Sequence, residues 1–325
     1  MRISRKKLNI ELYKKLYLIR KAEERIQGEY AKDEMKTPMH MSMGGEAISA
    51  GACHALEASG QVFSSYRSHG VYLAKTMETD KFFAELYGKK TGAAKGKAGS
   101  MHLSAPEKGY LGASAVVGTP IPLAVGAAFA NIRKNNKNVV AVFFGDGAID
   151  EGVFWESINM AALWKLPVLF VCEDNGLAIH TPPYMRHGYD SISRIMSQFK
   201  INVLSSDSTD AEEIHNVATR GINLIHTTGK PCFLHFKYYR YLEHVGINPD
   251  FNAGYRSEKE FKKWKERDPV SAGRQKLLKL GVVEKTISAL ENKISAGVER
   301  SIAAAQKAPF ASEKELFKDI FYERS

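Results

Sequence analysis

Apolar residues recur at helical spacing at both ends of the chain, whereas the centre carries short, continuous apolar runs. Residues 9–30 set Leu12, Leu16 and Ile19 among charged positions, and residues 283–307 carry apolar residues three and four positions apart. Both patterns are typical of amphipathic helices. Further helices are predicted near 44–58, 120–132, 152–165, 210–227 and 257–280.

The central apolar runs predict buried strands. They are VVAVFF at 139–144, VLFVCE at 168–173 and CFLHFKYY at 232–239, with predicted helices between them. Continuous apolar strands that alternate with helices indicate a parallel sheet that is covered on both faces. We therefore expect an α/β fold with a parallel sheet, helices on both faces and helical extensions.

No linker-like segment divides the chain, so we expect a single domain over residues 1–325. It would have an N-terminal helical arm at about 1–35 and C-terminal helices at about 257–325. Residues 242–257 contain glycine, proline and polar residues and are predicted to be a loop. Since few apolar residues could anchor it, we expect this loop to become ordered only over a bound ligand; the alternative is a loop that a partner chain holds permanently.

Composition excludes several classes of protein. The chain is 44% hydrophobic and 25% charged, as is usual for globular proteins, and no run is apolar enough to span a membrane. The formal net charge is +10, and residues 1–25 hold nine Lys/Arg against three Asp/Glu. No recognition motif accompanies these charges, which favours a solvated amphipathic helix over nucleic-acid binding.

Three cysteines, Cys53, Cys172 and Cys232, lie far apart and form no CxxC pair. This spacing argues against a structural zinc site and against a disulfide framework. The basic N-terminus lacks the apolar core and cleavage site of a secretory signal. We expect a protein of the reducing cytoplasm, with neither a nucleic-acid nor a membrane partner.

Polar residues follow two of the central strands directly. Gly145-Asp146-Gly147 comes after the first strand and Asn175 after the second, with one helix between them. Both side chains should therefore emerge at the carboxyl ends of parallel strands, where open α/β sheets bind ligands. A carboxylate, an amide oxygen and the carbonyl of Leu177 would be suitable magnesium ligands, and glycines let a backbone approach phosphate. An Asp between glycines is by itself also typical of a simple turn.

The segment GDGAIDEG, followed one βαβ unit later by CEDNG, is similar to the thiamine diphosphate motif. The whole chain resembles the alpha subunits of the pyruvate, branched-chain 2-oxo-acid and acetoin dehydrogenases. The further matching blocks are LIRKAEERI at 18–26, GGEAISAGA at 44–52, FSSYRSHG at 63–70, KGKAGSMHL at 95–103, GTPIPLAVGAA at 118–128, KYYRYLEH at 237–244 and ELFKDIFYE at 315–323.

This resemblance implies thiamine diphosphate and Mg²⁺ as cofactors and assigns roles to particular residues. Tyr66 and Arg67 would reach the diphosphate, and the backbone at Ala115 and Val117 would contact the aminopyrimidine ring. The catalytic residues would be His40 and His244; the cofactor-binding residues Tyr66, Arg67, Ala115, Val117, Gly145, Asp146, Gly147, Ala148, Asn175, Leu177 and His244; and the metal ligands Asp146, Asn175 and Leu177.

The resemblance further implies decarboxylation of a 2-oxo acid and transfer of the acyl group to a lipoyl carrier on an acyltransferase. The glutamate that activates the cofactor would come from a beta subunit, in a heterotetramer of two alpha and two beta chains. The same chemistry could instead serve acyloin cleavage, or carboligation to an aldehyde or ketone such as a sugar. A non-catalytic basic binding protein is the alternative from another class, against which the intact motif residues argue.

Several positions depart from the pattern of this family. Leu242 replaces the first histidine of a loop that often reads YRYHGHS, and Val245 stands where some relatives carry a regulatory serine. Asp150-Glu151 replaces Asn-Gln, and Ser114-Ala115 replaces Asn-Gly. These changes leave the binding of the cofactor credible and leave the choice of substrate open.

Overall fold

A computed structural model of the chain describes residues 4–56 and 59–318. The strands in these residues are β1 (Gln61–Ser65), β2 (Tyr110–Ser114), β3 (Val140–Gly145), β4 (Val168–Asp174), β5 (Asn202–Ser206) and β6 (Cys232–Lys237). The α-helices are α1 (Arg5–Tyr30), α2 (Glu46–Ala55), α3 (His69–Thr76), α4 (Asp80–Leu86), α5 (Pro120–Arg133), α6 (Gly152–Leu163), α7 (Ile192–Met196), α8 (Ala211–Thr228), α9 (Glu258–Lys265), α10 (Pro269–Lys279) and α11 (Glu284–Lys307).

The six strands form one parallel sheet with the order β2-β1-β3-β4-β6-β5. Successive side chains of a strand point to opposite faces, so a strand that is covered on both sides is apolar throughout. In β3, Ala141 and Phe143 pack into one core cluster, whereas Val140 and Val142 pack into the other. The predicted parallel sheet with helices on both faces is therefore confirmed.

The direction in which successive strands are added to the sheet reverses between β1 and β3. From β1 the chain moves outward to β2, then returns to place β3 on the other side of β1 and continues to β4. Loops at the carboxyl ends of β1 and β3 consequently diverge, and such a switch point is where open α/β sheets bind ligands. Tyr66 and Arg67 follow β1, and Asp146 follows β3.

Strands β1, β2 and β5 were not predicted from the hydrophobic pattern, because their residues are not buried continuously. Of these, β2 and β5 are the edge strands of the sheet, and each leaves most of its positions only half-buried. β1 alternates between buried and half-buried positions over five residues. The sequence QVFSS is too short and too polar to distinguish such a strand from a loop.

The basic N-terminal helix is confirmed as a helix, but it is not simply a solvated one. Arg20 and Glu23 of α1 are buried. The Arg20 guanidinium donates to Glu46 Oε1 at 2.7 Å and to Asp268 Oδ2 at 2.9 Å. Because Asp268 is the N-cap of α10, this pair of ionic contacts fastens the C-terminal helices to the helix that begins the fold.

Two further observations concern the expectations from composition. No helix among the described residues is both long and apolar enough to cross a bilayer. All three cysteines are buried and free. Residues 57–58 of the predicted helix at 44–58, and 319–323 of the matching block at 315–323, lie outside the described residues.

Candidate cofactor and metal site

Two buried oxygen atoms at the carboxyl edge of the sheet have no hydrogen-bond partner. They are Oδ1 of Asp146, at the end of β3, and Oδ1 of Asn175, directly after β4. An unsatisfied buried acceptor is costly, so two neighbouring ones indicate a site built to hold a cation. An amide and a carboxylate oxygen are ligands that Mg²⁺ accepts. The residues present therefore fit the metal that the sequence motif predicts.

Burial and a neighbouring positive charge act in opposite directions on the pKa of Asp146. Burial raises the pKa of Asp146 to about 6, and the negative charge of Asp174 acts in the same direction. The positive charge of Arg186 and hydrogen bonds from the backbone act in the opposite direction and favour the charged form of the carboxylate. The described residues contain no cluster of three His, Cys, Asp or Glu side chains suited to a metal.

Gly147 allows two loops to meet beside this site. A Cβ atom at Gly147 would lie 3.0 Å from the Cβ of Ala178, in the loop that follows β4. Such a contact is tighter than an ordinary van der Waals distance, so a larger residue would push the two loops apart. Gly176 has a φ of +74°, a conformation that glycine adopts readily, and this turn carries the chain from Asn175 to Leu177.

A cavity of about 270 Å³ opens between the ends of β1, β3 and β4. Nine of the predicted site residues line it: Tyr66, Arg67, Val117, Gly145, Asp146, Gly147, Ala148, Asn175 and Leu177. Ala115, His40 and His244 are not part of this lining. The tertiary structure thus brings together residues separated by more than a hundred positions, while the two histidines form a neighbouring cluster.

Tyr66 connects the cavity to the two histidines. The ring centroids of His40 and Tyr66 are 4.5 Å apart, those of His40 and His244 5.4 Å, and those of Tyr66 and His244 5.7 Å. Nδ1 of His40 is buried and has no hydrogen-bond partner. The predicted catalytic histidines therefore lie side by side and beside a residue that lines the cavity.

The contacts of His244 determine which of its nitrogen atoms carries the proton. Nη2 of Arg67 and Nη1 of Arg240 each lie 3.4 Å from Nδ1 of His244. Arginine can only donate, so Nδ1 must accept and the proton of the neutral ring must be on Nε2. Burial, then the positive charges of Arg67 and Arg240, lower the pKa of His244 to about 3. His244 is consequently a neutral donor through Nε2 at neutral pH.

We expect these histidines to make the protein sensitive to acid. Burial and Arg67 also lower the pKa of His40. Because both folded-state pKa values lie below the ordinary value of 6.5, an unfolded chain binds these protons first as the pH falls. The free energy of unfolding should therefore decrease from about pH 6.5 toward pH 4.

Denaturant unfolding at a series of pH values measures this effect. His244→Gln should show a shallower decrease than the wild type, because one of the two protons no longer contributes. His226→Gln, at an exposed position on α8, is the control and should follow the wild type. An unchanged slope in His244→Gln would contradict the assignment of a neutral, half-buried His244.

Three residues at this site were not identified from the sequence. Glu173 lines the cavity, and burial raises its pKa to about 8. Arg240 is 1% exposed and donates to the carbonyl of Leu242 and to the hydroxyl of Tyr255. Arg186 contacts the Asp146 carboxylate. Their only signal in the sequence is proximity to the motifs, since charged residues are common beside any loop.

The loop at 242–256 is anchored by polar contacts rather than by apolar burial. The amide of Gly246 donates to the carbonyl of Met39 at 2.8 Å, and Arg256 donates to the carbonyl of Leu242 at 2.8 Å and to Asp250. The expectation that little anchors this loop was wrong, because it counted only apolar side chains. Ordering of the loop by a bound cofactor stays a prediction.

The sequence also matches a known family over most of its length. Residues 14–314 match the family described as dehydrogenase E1 component. The chain therefore belongs to that family, and it is the alpha-type subunit of a thiamine diphosphate-dependent enzyme of the 2-oxo-acid dehydrogenase class. The family, the enzyme class and the cofactors expected from the sequence are confirmed.

Individual relatives cover nearly the whole chain. The alpha subunit of the pyruvate dehydrogenase E1 component from Zymomonas mobilis is 34% identical over 96% of this chain and 88% of its own length. The alpha subunit of acetoin:2,6-dichlorophenolindophenol oxidoreductase from Bacillus subtilis is 32% identical over 95% of this chain and 92% of its own length. The pyruvate dehydrogenase E1 alpha subunit from Rhizobium meliloti is 33% identical over 96% and 89%, respectively.

Proposed function

We propose that this chain, with a beta subunit, decarboxylates a small 2-oxo acid such as pyruvate and passes the acyl group to a lipoyl-bearing acyltransferase. The observation that carries the proposal is the pair of unsatisfied buried oxygens on Asp146 and Asn175, at the switch point of the sheet. The similarity to pyruvate dehydrogenase alpha subunits supports the choice of substrate.

In this proposal the chain holds the diphosphate end of the cofactor. Asp146, Asn175 and the carbonyl of Leu177 would hold Mg²⁺, and Arg67 and Tyr66 would face the diphosphate. Arg67 donates to the carbonyls of Met41 and His244 and to Nδ1 of His244, and these contacts orient the guanidinium and leave other N–H groups for an anion. Bound thiamine diphosphate supplies the electron sink that lets carbon dioxide leave a 2-oxo acid.

In this proposal the two histidines contact the substrate. His244 presents Nε2–H, and its lowered pKa keeps the ring neutral, so it can donate a hydrogen bond to an oxygen without adding charge. The unpartnered Nδ1 of His40 lies buried beside it and can accept or donate one proton. Val117, which is 40% exposed, would contribute a backbone contact, as would Ala115 just outside the cavity lining.

A substrate screen tests the proposed reaction. The complex with the beta subunit should reduce an artificial electron acceptor with a 2-oxo acid, and only when thiamine diphosphate and Mg²⁺ are present. With a lipoyl domain as acceptor, the same substrate should yield the acylated domain. Activity with acetoin and none with any 2-oxo acid would instead favour acyloin cleavage, and product formed only with an aldehyde acceptor would favour carboligation.

An exposed apolar face supports the proposal that this chain binds a partner subunit. Met160, Leu163 and Trp164 lie three and four residues apart along and just beyond α6, and the Trp164 ring lies 5.3 Å from that of Phe129 on α5. Leu163 is 71% exposed. Adjacent large apolar side chains of this kind mark surfaces that associate with other chains. We propose that this face is covered in the assembly with the beta subunit, as a heterotetramer.

Leu163→Glu should weaken this assembly by about tenfold or more, because it buries a charge in an apolar contact. Analytical ultracentrifugation of the purified complex at a series of concentrations measures the effect. Val283→Glu, which changes a residue 65% exposed at the start of α11, is the matched control and should assemble as the wild type does. Equal assembly of both variants would show that the α5–α6 face is not a subunit contact.

The proposal also covers organisation and location. We propose that residues 1–325 act as one domain, and the shared core of α1, α10, α11 and the sheet supports this. We propose a cytoplasmic location, which three buried free cysteines support because a reducing compartment keeps thiols unpaired.

A further inference from the structure

Arg186 reaches from a surface loop to the proposed metal ligand. Its Nη2 atom contacts Oδ2 of Asp146, and its Nη1 atom lies 2.7 Å from Oδ2 of Asp150 and 3.4 Å from the carbonyl oxygen of Asp146. The Arg186 side chain is only 10% exposed. A guanidinium group forks between two acceptors in this way because its donors have a fixed planar arrangement.

The contact makes the two oxygens of the Asp146 carboxylate different. Oδ2 accepts from Arg186, whereas Oδ1 is the buried atom that has no partner. A carboxylate whose one oxygen is held cannot rotate freely, so the other oxygen keeps its direction. Interactions of this kind with the far side of a ligand orient it toward the metal and tune its affinity.

A second layer of contacts holds Arg186 itself. Nε2 of His187 lies 3.0 Å from Oδ1 of Asp150, so both oxygens of Asp150 have partners from the same loop. The His187 ring stacks on Tyr189 with centroids 4.5 Å apart. Tyr184 and Met185 beside them are 83% and 67% exposed. The polar side chains of this loop, rather than its apolar ones, therefore fasten it to the site.

We propose that Arg186 is a positioning residue of the metal site, which holds Oδ2 of Asp146 so that Oδ1 faces the cation, and that Asp150 and His187 hold Arg186. This inference rests on the proposed function, because it takes Asp146 as a metal ligand. It also gives a role to Asp150, one of the positions that departs from the family pattern. Asn175, Leu177 and Arg186 then belong to one continuous segment that follows β4.

The opposite role for Arg186 is competition with the metal for the same carboxylate. The two roles differ in the sign of one measurement. If Arg186 orients Asp146, its removal weakens the binding of a divalent cation. If Arg186 competes, its removal tightens that binding. The unpartnered Oδ1 atom favours the orienting role, because Arg186 occupies only Oδ2 and leaves the buried Oδ1 available to a cation.

The test uses Mn²⁺ as the metal and the complex of the full chain with its partner subunit. Electron paramagnetic resonance of free Mn²⁺, at fixed thiamine diphosphate, gives the dissociation constant directly. Arg186→Gln should weaken Mn²⁺ binding by about tenfold to a hundredfold. Arg186→Lys should not restore it, because an ammonium group keeps the charge and loses the fork. Asp150→Asn should cause a smaller loss.

Controls separate this inference from folding and from the proposed function. Arg194→Gln removes an exposed arginine of α7 from the same region and should bind Mn²⁺ as the wild type does. Thermal unfolding without metal shows whether Arg186→Gln is folded, and the stabilisation that Mn²⁺ adds should shrink. If Arg186→Lys bound Mn²⁺ with wild-type affinity, Arg186 would act only through its charge, and the proposal would be overturned. Unchanged or tighter Mn²⁺ binding by Arg186→Gln would also overturn it. If the wild type itself bound no Mn²⁺, or Asp146→Asn had no effect, the metal site and the proposed function would fail instead.

Discussion

Asp146→Asn should abolish the magnesium-dependent binding of thiamine diphosphate, with a loss of affinity of more than about a hundredfold. The change keeps the shape of the side chain and removes the one charged protein ligand among Asp146, Asn175 and the Leu177 carbonyl. It also removes the charged partner of Arg186. Since the remaining ligands are neutral dipoles, they cannot offset the cost of stripping water from Mg²⁺. Isothermal titration of the variant complex with cofactor and metal measures the loss.

A matched variant makes this experiment specific. Asp190→Asn removes one carboxylate at an exposed position of the loop that carries Arg186, and it should leave the affinity for the cofactor unchanged. Both variants should show a complete unfolding transition, which excludes simple loss of structure. If Asp146→Asn bound thiamine diphosphate as tightly as the wild type, the assignment of the motif would be wrong.

The isolated chain should show negligible turnover even with thiamine diphosphate and Mg²⁺. The family resemblance implies that the glutamate that activates the cofactor belongs to the beta subunit. A missing acid–base group costs about a hundredfold to ten-thousandfold in rate. The glutamates that line the cavity from this chain are Glu151 and Glu173, and burial keeps Glu173 largely protonated at neutral pH by raising its pKa to about 8. Steady-state assays of the chain before and after addition of the beta subunit measure the dependence.

A variant of this chain serves as the control for its dependence on the beta subunit. In the assembled complex, Glu151→Gln should leave most of the activity, because Glu151 is not the activating group. Turnover by the highly purified chain at the rate of the complex would contradict the two-subunit mechanism. If that turnover disappeared in Glu151→Gln, this chain would supply its own activating glutamate.

Burial on both sides made the central strands predictable. The runs that become β3, β4 and β6 are apolar at nearly every position because both faces of the sheet are covered there. Strands β2 and β5 lie at the edges, where fewer side chains are buried, and their sequences resemble loops. The spacing of apolar residues shows which side chains of a segment are buried. A segment that is only partly buried therefore has a weak apolar pattern.

The proposed metal ligands could be placed at one edge of the sheet for a related reason. Asp146 and Asn175 directly follow apolar strands, and neighbouring parallel strands end at the same edge of the sheet. The prediction therefore needed only the order of strands and residues along the chain. The roles of His40, His244, Tyr66 and Arg67 depended instead on resemblance, because each lies in a segment whose position no local pattern reveals.

The sequence by itself determined the parallel sheet, the edge that carries Asp146 and Asn175, and the chemical type of the site. Only the tertiary structure decided which charges meet there. Arg186 lies 40 positions from Asp146 and contacts it, whereas Arg67 and Arg240 lie 173 positions apart and both contact Nδ1 of His244. The reason is physical: an apolar period reports burial along one element, whereas the partner of a charge depends on how loops from different strands return to the same edge. The oxygen of Asp146 that accepts from Arg186, and the nitrogen of His244 that accepts from Arg67 and Arg240, follow from those meetings.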